Sequence, residues 1–119
     1  MKYMLLIYAN EKDLTDEYRG ECYVESAQLA RDLHASGQYL DASPLHPTAT
    51  ATSVRVRNGK TLVTDGPFAE TREQLGGFYL IDAKDLDEAI AVSTRIPVAR
   101  LGTVEIRPVM DIPGLPARG

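Results

Sequence analysis

The dipeptide Asn58-Gly59 restricts the possible folds of this chain more than any other pair of residues. It joins two runs, 50–57 and 60–65, rich in valine and threonine. A type I′ turn needs φ above zero at both central positions, and asparagine followed by glycine meets that need most easily. A two-residue loop leaves no slack in the pairing, so Arg57 faces Lys60, Val56 faces Thr61, Val54 faces Val63, and Thr52 faces Asp65. Thr52, Val54, Val56, Thr61, Val63 and Asp65 then share one face. Arg55, Arg57, Lys60 and Leu62 share the other, which must be largely solvated. Asp65 is expected at the margin of an apolar face, where a carboxylate calls for a partner.

The hairpin ends in the block Thr64-Asp65-Gly66-Pro67-Phe68-Ala69-Glu70-Thr71. Gly66 brings unusual φ/ψ freedom, and Pro67 removes the N–H that a continuing strand would donate. Asp65 is therefore the last strand residue, fixed beside a rigid turn.

The remaining elements follow from periodicity. Residues 2–9 form an apolar run suited to a central strand covered on both faces. A helix begins near Asp16 and Glu17, acids that suit its positive end, and Cys22, Ser26, Leu29, Ala30 and Leu33 make its buried stripe. Gly37 suits its C-terminal cap. Tyr39 and Leu40 open a second strand, limited by Pro44 and Pro47. Residues 75–82 form another, in which Gly76-Gly77 allows a bulge or the close approach of a neighbouring backbone. Asp85 and Glu88 have capping-box spacing ahead of a second helix whose apolar positions are Leu86, Ala89, Ile90 and Val92. Ile96-Pro97 ends that helix, and residues 103–109 give the last strand.

The order is β-α-β-(β-β)-β-α-β. Without the hairpin it is βαββαβ, an α+β arrangement of ferredoxin-like type. Two helices cover only one face of such a sheet. A second copy is the simplest cover for the other, so a homodimer with face-to-face sheets is expected. At 119 residues one domain suffices: residues 1–112 form it, and 113–119 make a tail too poor in apolar residues to pack alone.

Composition narrows the partners. A net charge of −4, with arginines scattered among acids, leaves no basic stripe for nucleic acid. No run approaches the roughly 20 apolar residues of a membrane span. Cys22 is the sole cysteine, so no internal disulfide forms, and a reducing, cytoplasmic setting is expected. Glu21 and Tyr23 beside it offer no activating cation, and Cys22 reads as a small packed hydrophobe. The short apolar start at Lys2–Ala9 is followed by Glu11 and Asp13 where a leader would be cleaved, which favours a buried strand over a signal peptide.

Lys2-Tyr3-Met4-Leu5-Leu6-Ile7-Tyr8, Ala51-Thr52-Ser53-Val54-Arg55, Thr64 to Thr71, Gly76-Gly77-Phe78 and Val104-Glu105-Ile106-Arg107-Pro108 together resemble the DGPF subgroup of the YCII-related proteins. The likeness spans nearly the whole chain. It implies a ferredoxin-like fold paired into a dimeric α/β barrel with an inter-sheet cleft. Better understood YCII-related proteins carry a His–Asp pair, and one of them dehydrochlorinates a chlorinated hydroquinone. The corresponding places fall near Ser26 and Ile96 here, and neither side chain does that work. Members of the subgroup tend to be encoded beside extracytoplasmic-function sigma factors, which implies a regulatory partner.

Two roles fit the Asp65 and Glu70 pair: a general acid and base flanking a pocket, or an Asx-type turn in which Asp65 accepts backbone N–H bonds. His46, between Leu45 and Pro47, is a candidate catalytic partner for Asp65 across Thr52, or a surface loop histidine. His34 complements a helix C-terminus. The histidines lack metal-ligand spacing, and no phosphate loop, nucleophile elbow or redox motif is present, so neither a metal nor a cofactor is expected. Tyr3, Thr52, Phe68, Thr71 and Phe78 are the candidate ligand-binding residues, with Tyr8 and Tyr79 as further aromatics able to line a cavity. The expected function is binding of a small organic ligand in the cleft of a homodimer. The alternatives are cofactor-free proton-transfer chemistry with Asp65 as acid or base, and partnership with a sigma-factor-linked regulator.

Overall fold

In the computed structural model, which describes residues 1–118, the strands are β1 (Lys2–Ala9), β2 (Tyr39–Pro44), β3 (Thr52–Arg57), β4 (Lys60–Asp65), β5 (Gln74–Asp82) and β6 (Thr103–Pro108). The helices are α1 (Asp16–Ala35) and α2 (Leu86–Ser93). Four strands form one sheet in the order β2-β5-β1-β6, every pair antiparallel, and β3 and β4 make a separate two-stranded ribbon. With the ribbon set aside this is the ferredoxin-like α+β order.

Each α-helix starts where its cap dictates. The Thr15 hydroxyl accepts the Tyr18 N–H at 3.1 Å, and the Asp85 carboxylate accepts the Glu88 N–H at 2.9 Å. Gly37, at φ +79°, stops α1: Gln38 N–H donates to the Leu33 carbonyl at 2.8 Å and Gly37 N–H to that of His34 at 3.1 Å, a Schellman closure. In the ribbon, Asn58 and Gly59 have φ of 51° and 74°, and the pairing runs from Arg57 opposite Lys60 to Thr52 opposite Asp65, as the turn requires. Its first strand is shorter than the run 50–57 suggests, because Thr48–Thr50 form a 3-10 turn ahead of Thr52.

Both α-helices pack on the sheet face that carries Tyr3, Leu5, Tyr79 and Ile81, where Leu29 and Leu33 of α1 meet Ala89 and Val92 of α2. The side chains of α2 depart from the expected stripe. Leu86 and Ile90 are 50% and 45% exposed, while Ala89, Val92 and Ser93 are buried. A helix of barely two turns seats one narrow edge, and Ser93 fits there because its hydroxyl donates to the Ala89 carbonyl at 2.8 Å. The opposite sheet face bears Met4 beside Leu80 and Leu6 beside Phe78, and neither α-helix lies on it.

Two glycines set close approaches. Gly76 is skipped in the β1–β5 pairing, where the register slips between Ile7 and Tyr8, so it forms a bulge. At Gly102 a Cβ would stand 2.1 Å from the Tyr8 carbonyl oxygen, which leaves hydrogen as the only side chain that fits.

Candidate functional site

A cavity of about 450 Å³ opens between α1 and the β2–β5 edge of the sheet, on the helix-bearing side. It exists because α1 turns small residues toward it. Arg19, Cys22, Tyr23, Ser26, Ala27 and Ala30 recur at helical spacing along one face, and the last three are too short to reach the sheet. Ala42 on β2 and Gly76 and Gly77 on β5 keep the facing wall equally bare. Gly77 cannot be enlarged without strain, since a Cβ would stand 3.0 Å from the Ser43 carbonyl oxygen.

The end walls are built by connections. Ile96 and Val98 belong to the strap between α2 and β6, a 3-10 turn at Pro97–Arg100. Two of its arginines moor the strap to α1: Arg95 pairs with Asp32 at 2.7 Å, and Arg100 pairs with Glu25. These pairs are half-exposed, where solvent screens them, so they orient the strap more than they stabilise the fold. Across the cavity Leu14, Pro44, Leu45 and Pro47 form the rim.

Polar groups are few and mostly engaged. The Tyr79 hydroxyl donates to the Ser26 carbonyl at 2.7 Å, and burial pushes its pKa up, with the Ser26 side chain acting the other way. The Cys22 thiol is also pushed up by burial, with a contact to Tyr18 acting the other way, so it is a neutral thiol and not an activated nucleophile. The Glu11 carboxylate accepts from the Thr48 N–H at 2.9 Å and from the Thr48 hydroxyl at 2.6 Å. Gln74 ties this wall to the loop beyond the ribbon. Its carbonyl oxygen accepts the Glu11 N–H at 3.0 Å, and its amide donates to the Thr71 carbonyl at 2.5 Å.

Most of the candidates taken from sequence lie elsewhere. Phe78 borders the cavity, although its position opposite Leu6 directs its ring to the other sheet face. Tyr3 is buried in the core, with its hydroxyl near the Met1 sulfur at 3.7 Å. Thr52 and Asp65 face each other at the exposed base of the ribbon, and the Asp65 carboxylate accepts no hydrogen bond among the described residues. The ribbon's exit is held instead by Gly66, whose N–H donates to the Ala51 carbonyl at 2.7 Å and whose carbonyl accepts the Ser53 hydroxyl at 2.8 Å. Phe68 is 78% exposed. Glu70 and Thr71 share a shallow depression with Pro67 and Gln74. His46 is exposed, although its neighbours Leu45 and Pro47 line the cavity. His34 packs edge-on against Tyr39, a lining residue, with ring centres 6.2 Å apart.

Sequence reasoning missed Glu11, Arg19 and Gln74. A signal for Arg19 did exist, because it continues the helical stripe through Cys22 and Ser26 by one turn. No group of three or more His, Cys, Asp or Glu side chains able to hold a metal ion comes together among the described residues. Likewise, no helix among them is long and apolar enough to cross a membrane.

Comparison with known proteins adds the family context. The model of the YCII-related domain matches residues 1–113. A protein of Rhizobium meliloti (strain 1021), described only as uncharacterized, is 40% identical over 118 residues, covering 92% of this chain and 92% of its own length.

Proposed function

The chain belongs to the YCII-related family, and on that premise we propose that it binds a small, mostly apolar organic molecule in the cavity between α1 and the β2–β5 edge. One observation carries the proposal: a space of about 450 Å³ bounded by Ser26, Ala27, Ala30, Ala42 and two glycines, within the usual range of small-molecule sites. Ser26 and Ile96, the two places where the resemblance would put a His–Asp pair, both line this space. That coincidence supports the same pocket in a member that has given up the dyad. Binding without that chemistry is the reading the geometry favours, since Asp65, Glu70 and His46 are exposed and outside the cavity.

The Asp65-Gly66-Pro67-Phe68 block supports placing the chain in the DGPF subgroup. The buried lone thiol of Cys22 fits a cytoplasmic setting. The apolar sheet face around Met4, Leu6 and Phe78, together with ribbon valines more than 60% exposed, supports pairing with a second copy of the chain.

The ligand reading is tested by calorimetric titration with a neutral aromatic probe, naphthalenemethanol. One site per chain is expected, lost in Ala30→Phe while the thermal midpoint holds or rises. Binding that survives Ala30→Phe would place the site elsewhere.

A further inference from the structure

We infer that the cavity is built for a hydrophobic monocarboxylate whose carboxylate is held by Arg19. This rests on the ligand-binding reading of the same space. Among the described residues that line it, Arg19 is the sole cation and Glu11 the sole anion. The two are not equally occupied. Both oxygens of Glu11 are taken by Thr48, at 2.6 and 2.9 Å.

Arg19 keeps most of its donors free. Its side chain is 25% exposed, and its two contacts are weak: 3.3 Å to the carboxylate of Asp16, which is itself fully exposed, and 3.5 Å to the Leu14 carbonyl. A guanidinium has five N–H donors in a planar fork, and a contact at 3.5 Å is at the edge of hydrogen bonding. A guanidinium with donors to spare at a cavity wall is best matched by a carboxylate, whose two oxygens meet the fork together.

The other walls set the remainder of the ligand. Leu14, Ala27, Ala30 and Val98 ask for a hydrocarbon body, and the volume admits one or two fused rings. Glu11 sets the charge limit, because a second anionic group on the ligand would meet a carboxylate already in place.

The test compares three probes on the unaltered chain at neutral pH: naphthoate, naphthalenemethanol and a naphthalene dicarboxylate. Naphthoate is expected to bind about tenfold or more tightly than the alcohol, the size of a charge-assisted hydrogen bond. The dicarboxylate is expected to bind more weakly than naphthoate. Arg19→Gln should abolish the preference for acid over alcohol, and Arg19→Lys should keep part of that preference. Should Arg19→Gln fail to fold, the three-probe comparison on the unaltered chain still decides. Equal affinity for acid and alcohol would overturn the carboxylate assignment and leave the ligand cavity standing. A dicarboxylate tighter than naphthoate would overturn the charge limit, and binding of no probe would overturn both readings.

Discussion

The Tyr79 hydroxyl reaches across from β5 to donate to the Ser26 carbonyl of α1 at 2.7 Å, and so fixes the separation of helix and sheet beside the cavity. Tyr79→Phe removes that donor while keeping the ring. The expected cost is about 1 kcal/mol, or a thermal midpoint lower by about 4 °C in calorimetry. Burial raises the Tyr79 pKa in the folded chain, so the unfolded chain gives up that proton first as pH rises. The stabilisation is complete below about pH 10, the value of a free tyrosine, and drains away as pH climbs through the folded value. Tyr79→Phe should therefore flatten the alkaline loss of stability. An unchanged alkaline limb would show that Tyr79 is not the group responsible.

Cys22 lies on the cavity stripe of α1, and burial pushes its thiol up as well. Little thiolate is present near neutrality, so iodoacetamide should modify the native chain far more slowly than the denatured one. A bound cavity ligand should slow the reaction further. Fast native labelling, undiminished by ligand, would show that the thiol is open to solvent by another route.

Gly102 pins the strap against β1. An added Cβ would sit 2.1 Å from the Tyr8 carbonyl oxygen and 3.1 Å from the Ala9 Cβ. Both contacts are with a strand in the middle of the sheet, which has little room to give. Gly102→Ala is expected to cost about 2–3 kcal/mol, as overpacking does, and to weaken ligand binding through the displaced Val98. Denaturant melts at constant slope would measure it; a midpoint equal to that of the parent chain would refute the account.

Leu6 and Phe78 face each other on the helix-free side of the sheet. If a second copy covers that side, Leu6→Lys should halve the sedimenting mass while the far-ultraviolet circular dichroism stays unchanged. A parent chain that sediments as a single copy at micromolar concentration would remove the pairing from consideration.

Local chemistry made the framework legible in the sequence. Asn58-Gly59 gave the ribbon register because two positive φ values admit few residue pairs, and Gly37 and Asp85 marked helix ends because orphan backbone groups must be capped. The cavity was harder to read, since it is made by what is missing. Ser26, Ala27, Ala30 and Ala42 look like ordinary small residues until α1 and β2 are brought together. Conspicuous residues lie apart from the cavity: Asp65 and Phe68 stand out in the sequence, and they are exposed on and beyond the ribbon. On α2 the periodic stripe pointed to Leu86 and Ile90, but the helix is too short to seat more than the edge at Ala89 and Val92.

Gln74 holds Glu11 with one end of its amide and Thr71 with the other. An amide accepts at its oxygen and donates at its nitrogen, whereas an ionised glutamate only accepts and a lysine only donates, so neither can replace it there without breaking one grip. Redesign of the Pro67–Thr71 segment and redesign of the cavity are thereby coupled, and a library that randomises one while freezing residue 74 inherits the dimensions of the other.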